Sequence, residues 1–400
     1  MIKRRDLLLT TAAATVVAAS PVRAQGKPPI KVAHTGPMSG IIATIGKLQS
    51  IAVDIAVADV NAKGGVNGSP IQIIRYDDEL KPDEGVLRIR DAMAAGAACI
   101  IGPLSGTQWE TAAPLLNQLK FPGFNVNANK PGINKRPWAF RIQVTDDLAL
   151  PPALSELLEK YPHIKKVAVL GDVREASGKA AIDIWKDLAK KAGLTVTDTV
   201  TFTSGQPDFS PIAIKLKELK PDGILLSMLL PDAIRLAREM QIQNIGVPVM
   251  GNSLIFPGTL PQTLSKTIGE NAKLWHTSAF ATNEWSTGDQ TIYKSFVERY
   301  DAEVLKDPAM AQFTPPNVAN TSLGYDVVQL IAELMRRAGI DGTTPTGQAR
   351  EKLMQQMVAI KEFRCIHQYK VLPSGDVDVP SHAAYIDPQR REWAFLTKKV

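Results

Sequence analysis

Residues 30–76 read IKVAHTGPMSGIIATIGKLQSIAVDIAVADVNAKGGVNGSPIQIIRY, and this stretch decides the fold. The opening run, 30–35 (IKVAHT), reads as a buried strand. From 45 to 61 apolar residues recur at helical spacing: Ile45, Leu48, Ile51, Ala52, Ile55, Val57 and Val60. GGVNG at 64–68 is a turn, and 71–76 is a second strand. The alternation continues outward. Pro82 suits the first turn of a helix running to about 95. A strand follows at 98–101, a helix at 107–119 and a strand at 121–126. The pattern restarts after 147, with helices over 148–160, 179–192, 208–219 and 232–241. Between and after them lie strands at 166–170, 195–202, 223–228 and 247–251. Further helices are expected at 288–305, 317–338 and 346–358, then short strands from 363. Strands alternating with helices imply parallel sheets covered on both faces, and two such series imply an α/β chain of two doubly wound parallel-sheet lobes. Ligands of such sheets bind beyond the carboxyl ends of the strands.

The length of 400 residues suits about two domains with cores large enough to need no disulfide or metal. Hydrophobic residues at 44% and charged residues at 22% exclude the disordered and fibrous classes. Residues 1–24 read as a cleavable signal peptide. Lys3, Arg4 and Arg5 precede a moderately apolar run, and Val22-Arg23-Ala24 offers small residues before the cut. That run is too short to span a bilayer, which takes about 20 residues. Arg4-Arg5-Asp6-Leu7-Leu8 is either a twin-arginine signal or a plain basic start. The leader holds four basic residues and one acid, so its removal takes the formal charge from +6 to +3. Nothing in that balance favours nucleic acid. The mature chain is expected in the periplasm. Cys99 and Cys365 are too far apart for a CxxC motif, and read as buried thiols or, alternatively, one bridge.

Motifs for covalent or nucleotide chemistry are missing. No GxGxxG follows a strand. Gly178-Lys179 has Val173 where a phosphate-binding loop needs its first glycine, and Ala180 where it needs Ser or Thr. Ser105 has no flanking glycines of a nucleophile elbow, since Pro103 and Thr107 stand there. The five histidines are scattered, with no pair at metal-ligand spacing. The expectation is a protein that is not an enzyme and takes no metal or cofactor.

The order and spacing of several short motifs resemble the leucine/isoleucine/valine-binding family of type I periplasmic binding proteins. These motifs are Ile30-Lys31-Val32, Gly36-Pro37-Met38-Ser39-Gly40 with Gly46, and the run 58–68 (ADVNAKGGVNG). Next come 71–78 (IQIIRYDD), 101–105 (IGPLS), Asp208-Phe209-Ser210 and Pro221-Asp222-Gly223. The resemblance covers nearly the whole mature chain. It implies lobe one at 26–146 plus 281–360, lobe two at 147–280 plus 361–400, and hinge segments near Asp146, Ala281 and Lys361. It also implies a ligand trapped by hinge closure and passed to a membrane permease.

Carried onto this sequence, the resemblance implies ligand contacts at Ser39, at Ser105, Gly106 and Thr107, at Asn127, Ala128 and Asn129, at Ser253 and at Asn320. Trp109, close to the 105–107 loop, either stacks on a planar ligand or sits in the core or on the lobe surface. A helix N-terminus at 105–107 has free N–H groups that favour an anion, and Ser105 or Thr107 equally suits a helix cap. The asparagines both donate and accept, and equally suit a turn. Three positions depart from the amino-acid binders. Ile45 stands where an aromatic clamp is usual, Ala176 where a tyrosine is usual, and Asn252-Ser253 where an acid pairs with a ligand ammonium. Burying an ammonium without a carboxylate is costly. Glu175, Asp172 and Asp232 are the acids that could substitute, and each also reads as a solvated charge at a loop or helix start. The resulting expectation is a periplasmic ABC-importer component for a small polar or carboxylate-bearing solute: an amino acid, an organic or aromatic acid, or an amide. It would act as a monomer with an inner-membrane permease and bind no nucleic acid. The alternative is a ligand-sensing receptor of the same fold coupled to a signalling partner.

Overall fold

The computed structural model describes residues 26–40, 42–256, 259–282, 284–311 and 318–397, with 318–320 as backbone only. The leader read at 1–24 lies outside the described residues. The first series of elements is β1 (Ile30–Gly36), α1 (Ala43–Ala62), β2 (Ile71–Asp77), α2 (Pro82–Ala94), β3 (Cys99–Ile101), α3 (Gly106–Leu119), β4 (Gly123–Asn125) and β5 (Ala139–Arg141). These strands form one parallel sheet in the order β2-β1-β3-β4-β5. The second series is α4 (Asp146–Lys160), β6 (Lys166–Asp172), α5 (Ala176–Lys191), β7 (Thr195–Phe202), α6 (Ser210–Leu219), β8 (Gly223–Ser227), α7 (Leu230–Ile242), β9 (Val249–Gly251), α8 (Leu260–Thr267) and β10 (Trp275–Ala279). There follow α9 (Gln290–Val304), α10 (Pro308–Ala311), α11 (Val318–Arg337), α12 (Thr346–Ala359) and the strands β11 (Glu362–Arg364), β12 (Gln368–Val371), β13 (Val377–Asp378), β14 (His382–Asp387) and β15 (Glu392–Phe395). The second sheet runs β15-β14-β10-β9-β8-β6-β7, parallel from β10 to β7 and antiparallel at β14 and β15.

Alternation along the strands shows why both sheets are covered on two faces. In β1 and β3, Val32, Cys99 and Ile101 pack with α1, α9 and α11, while Ala33 and Ile100 pack with α2 and α3. In β6, Ala168 and Leu170 face α6 and α7, while Val167 and Val169 face α4 and α5. A strand buried on both faces reads as a continuous apolar run, as β3 and residues 167–170 of β6 do. Close approach at the start of α1 depends on Gly46, where a Cβ would run into the Pro37 carbonyl. Only glycine fits there.

Two strands and two helices escaped the sequence reading, and the four-residue α10 is too short to show a helical period. Strand β5 has three residues, too few for a pattern. Strand β10 (WHTSA) is buried throughout yet polar in composition, so it shows no alternation. Helix α8 lies in the same overlooked stretch. The tail divides between two sheets. Strands β11–β13 form a separate three-stranded sheet, and only β14 and β15 join the second sheet. The reason is Asp326 of α11, whose carboxylate accepts the N–H groups of Ile366 and His367 (both 3.0 Å) and the Tyr369 hydroxyl (2.7 Å). Helices α9 and α11 pack on α1, and α4 packs on β10 and β14. On these contacts we propose lobe boundaries of 26–146 with 281–379, and 147–280 with 380–397, moving the expected crossing at Lys361 to about residue 380. Cys99 and Cys365 are both buried and unbridged. Among the described residues no helix is long and apolar enough to cross a membrane.

Candidate functional site

The residues that follow the carboxyl ends of the parallel strands meet across one cleft. From the first sheet come Ser39 and Gly40 after β1, Glu79 and Leu80 after β2, Leu104 and Ser105 after β3, and Asn127 after β4. From the second come Arg174 and Glu175 after β6, Ser204 after β7, Leu229 after β8 and Leu254 after β9. The outer cleft encloses about 360 Å³. It narrows to an inner chamber of about 20 Å³ walled by Ile42, Ile45, Leu80, Leu104, Leu229 and Leu254, with Ser105, Asn127 and Glu175 as its polar groups. That is room for about one water, so the lobes stand closed on each other. A larger hollow of about 590 Å³ lies between α11 and β11–β12, lined by Glu333, Arg336, Glu362 and Arg364. It is a charged surface depression away from every parallel-strand terminus, and we place the site in the cleft.

Helix α3 begins at this cleft with a reciprocal cap. The Gln108 N–H donates to Ser105 Oγ at 3.2 Å, and the Ser105 N–H donates to Gln108 Oε1 at 3.4 Å. Thr107 faces the other lobe. Its N–H donates to Glu175 Oε1 at 3.2 Å and its hydroxyl donates to Glu175 Oε2 at 2.8 Å. That hydroxyl also accepts the Ala176 N–H at 3.0 Å. Glu175 is the N-cap of α5, accepting the Ser177 N–H. One buried carboxylate thus sits between two helix N-termini from opposite lobes. Burial pushes its pKa up, against the hydrogen bonds from Thr107 and Ser177, which pull it down.

Deeper in, a second polar cluster joins the lobes. Asp146, at the start of α4, accepts Asn129 Nδ2 at 2.9 Å and Asn252 Nδ2 at 2.8 Å. Asn129 Nδ2 also reaches Ser253 Oγ at 3.0 Å. All four residues are buried, and desolvation raises the Asp146 pKa to about 7. The loop carrying Asn127 and Asn129 is braced from behind. Asn125 Oδ1 accepts the N–H groups of Asn127 and Ala128 at 2.9 and 2.7 Å. Arg141, fully buried, donates to the carbonyls of Ala128 (3.0 Å) and Lys130 (2.6 Å) and pairs with Asp376.

The structure therefore brings Ser39, Ser105, Thr107 and Asn127 to the cleft, with Gly106 against Glu175 and Ser177. Asn129 and Ser253 meet each other at Asp146, behind the chamber. Ala128 is buried, and its N–H and carbonyl are spent on Asn125 and Arg141. Trp109 is a correction. It is fully buried in the lobe-one core among Ile89, Ile100, Phe121 and Trp138, because its position on α3 faces the sheet. The side chain of Asn320 lies outside the described residues. Glu175, Asp172 and Asp232 are not solvated charges: all three are buried. Asp172 accepts the N–H groups of Arg174 and Ser204, and Asp232 accepts that of Gly205, so they brace loops. The sequence reading passed over Asp146 as a contact and Leu80, Leu229 and Leu254 as walls. An Asp-Asp pair opening a helix was the only local signal for the first, and nothing local marks the leucines.

Two doubly wound sheets facing each other across a cleft at their strand ends define the type I periplasmic binding fold. The chain belongs to the periplasmic binding protein family, whose model matches residues 29–376. It is similar to the Leu/Ile/Val-binding protein of Escherichia coli (strain K12), with 27% identity over 246 residues, 61% of this chain. That match covers 65% of the relative, slightly less than two thirds of its length. Among solved structures, a leucine-binding protein from Thermotoga maritima superposes with a TM-score of 0.77 at 19% identity, covering 92% of this chain and 97% of that one. A solute-binding protein of an ABC transporter from Rhodopseudomonas palustris, solved with benzoate, gives 0.76 at 18% identity, covering 92% and 95%. At these identities the superpositions establish the fold.

Proposed function

We propose that this chain is the solute-binding component of an ABC importer, working in the periplasm after loss of residues 1–24. It captures a small solute between the lobes and presents the closed form to an inner-membrane permease. It is a binding protein and not an enzyme, and it acts as a monomer. One observation carries the reading. The cleft of about 360 Å³ at both lobes' strand ends leads inward to six aliphatic side chains, with Ser105, Asn127 and Glu175 as polar groups, and a solute entering it parts these walls. That lining suits a compact apolar body with one polar head, as in branched-chain amino acids, aromatic or organic acids and short amides. Relatives named for leucine, isoleucine and valine, and a neighbour solved with benzoate, support the same size and chemistry.

The test is a thermal-shift screen on residues 25–400, unfolded and refolded to strip bound solute. The panel holds branched-chain amino acids, their keto acids, aromatic acids and short amides. A solute at 100 times its Kd adds about 2.7 kcal/mol. Unfolding of a chain of roughly 375 residues carries about 0.8 kcal/mol/K of entropy, so the shift is about 3 °C. Silence across the panel at millimolar concentrations refutes this solute class.

A further inference from the structure

The contact between Thr107 and Glu175 joins residues 68 apart in sequence and on opposite lobes. Helix α3 ends its N-terminus in lobe one, α5 ends its own in lobe two, and both point at one another. A helix N-terminus presents unpaired N–H groups and a partial positive charge, which favour an anion. Here the anion is part of the chain. The carboxylate takes two hydrogen bonds from Thr107 and one from Ser177, and the Thr107 hydroxyl returns the contact by accepting from Ala176. Fit is close at Gly106, where a Cβ would meet Ser177 Oγ and come within 2.6 Å of Glu175 Oε1. Glu175 also lines both the outer cleft and the inner chamber.

We propose that Glu175 is a built-in occupant of the α3 N-terminus, which fastens the two lobes together and keeps a solute's carboxylate out of that position. The inference rests on the cleft being the solute site, and it narrows the solute class. Two carboxylates cannot share one pair of N–H donors. A monocarboxylate must expel Glu175 from its contacts, whereas a head that donates hydrogen bonds finds in Glu175 a ready acceptor. The accepted solutes are therefore apolar bodies with an amine or amide head. Arg174 and Lys81 at the cleft rim are the nearby cations, and neither bonds to Glu175 in the structure.

The experiment compares wild type with E175Q, using three probes that share a 3-methylbutyl body: 4-methylpentanoate, 4-methylpentanamide and isopentylamine. Calorimetry should show wild type binding the amine and amide at least tenfold more tightly than the acid. In E175Q the acid should gain at least tenfold and the amine lose as much. Affinities within twofold between the two proteins overturn the proposal while leaving solute capture in place. Small-angle scattering of E175A supplies a second readout that needs no solute. Its radius of gyration should exceed that of wild type, with far-UV circular dichroism unchanged. If no probe binds either protein, an opened E175A upholds the fastening and refutes the solute reading. An unopened E175A in that case overturns the proposal.

Discussion

Replacing Asp376 by alanine should weaken the whole molecule through a residue 235 positions away. Arg141 has no solvent exposure, and Asp376 is its only carboxylate partner among the described residues. Burial alone lowers the guanidinium's pKa, and Asp376 is the largest opposing cause. Removing one partner of a buried ion pair strands the other charge, at a cost of about 3–5 kcal/mol. Asp376 keeps 14% side-chain exposure, so water partly reaches the vacated space and the lower end applies, about 3 kcal/mol. At about 1.3 °C per kcal/mol for a chain of this length, D376A should melt about 4 °C below wild type. The deficit should persist at 0.5 M NaCl, because salt screens buried pairs far less than exposed ones. Solute affinity should fall too, since Arg141 holds the Ala128 and Lys130 carbonyls behind the Asn127 loop. D376N, which retains an acceptor oxygen, should lie between the two. Differential scanning calorimetry at two salt concentrations decides the matter. A melting point within 1 °C of wild type, or a deficit erased by salt, refutes the account of Arg141 as a buried, pair-dependent brace.

Asp146 gives a pH prediction. Its folded pKa of about 7 lies above the ordinary value of 3.8. Between those values the folded chain holds a proton that the unfolded chain has released, so stability falls as pH rises from about 4 to 7, by about 4 kcal/mol at most. Asp301 and Asp326, each raised to about 6, act in the same direction and cancel in a difference. D146N should start below wild type at pH 4.5, where its amide faces the Asn129 and Asn252 donors, and regain about 4 °C relative to wild type by pH 7.5. Parallel melting curves across that range would contradict a buried, protonated Asp146. Gly106 gives a third prediction. The G106A methyl meets Ser177 Oγ and Glu175 Oε1 across the cleft, with the Ser177 backbone nitrogen at 3.3 Å, and the position has no positive φ. Thermal stability should change by less than about 1 kcal/mol, while solute affinity falls because closure is obstructed. Equal affinity in G106A and wild type would show that the lobes do not need to approach this closely.

Local patterning made much of the fold legible. The stretch 30–76 yields β1, α1 and β2 because a buried strand needs a continuous apolar run and a sheet-packed helix needs an apolar stripe. Both demands act within a few residues and so leave marks in the sequence. The cap at Ser105 and the asparagine loop after β4 were legible for the same reason. Trp109 shows the limit. Its neighbour in sequence, Gln108, caps the helix, yet which way an indole turns depends on a core assembled from 89, 100, 121 and 138.

What the tertiary structure alone decided is the pairing of distant groups. Glu175 meets Thr107, Asn129 meets Asp146 and Ser253, Asp376 meets Arg141, and Leu80 meets Leu229 and Leu254 around one chamber. No periodicity encodes such contacts, because each depends on how two sheets are set against each other. Burial then changes the chemistry: a glutamate that reads as a solvated helix-start charge becomes a desolvated carboxylate holding two lobes together. The sequence determined two doubly wound lobes and a cleft at their strand ends. Closure between those lobes determined which residues share the cleft, and in what state of charge.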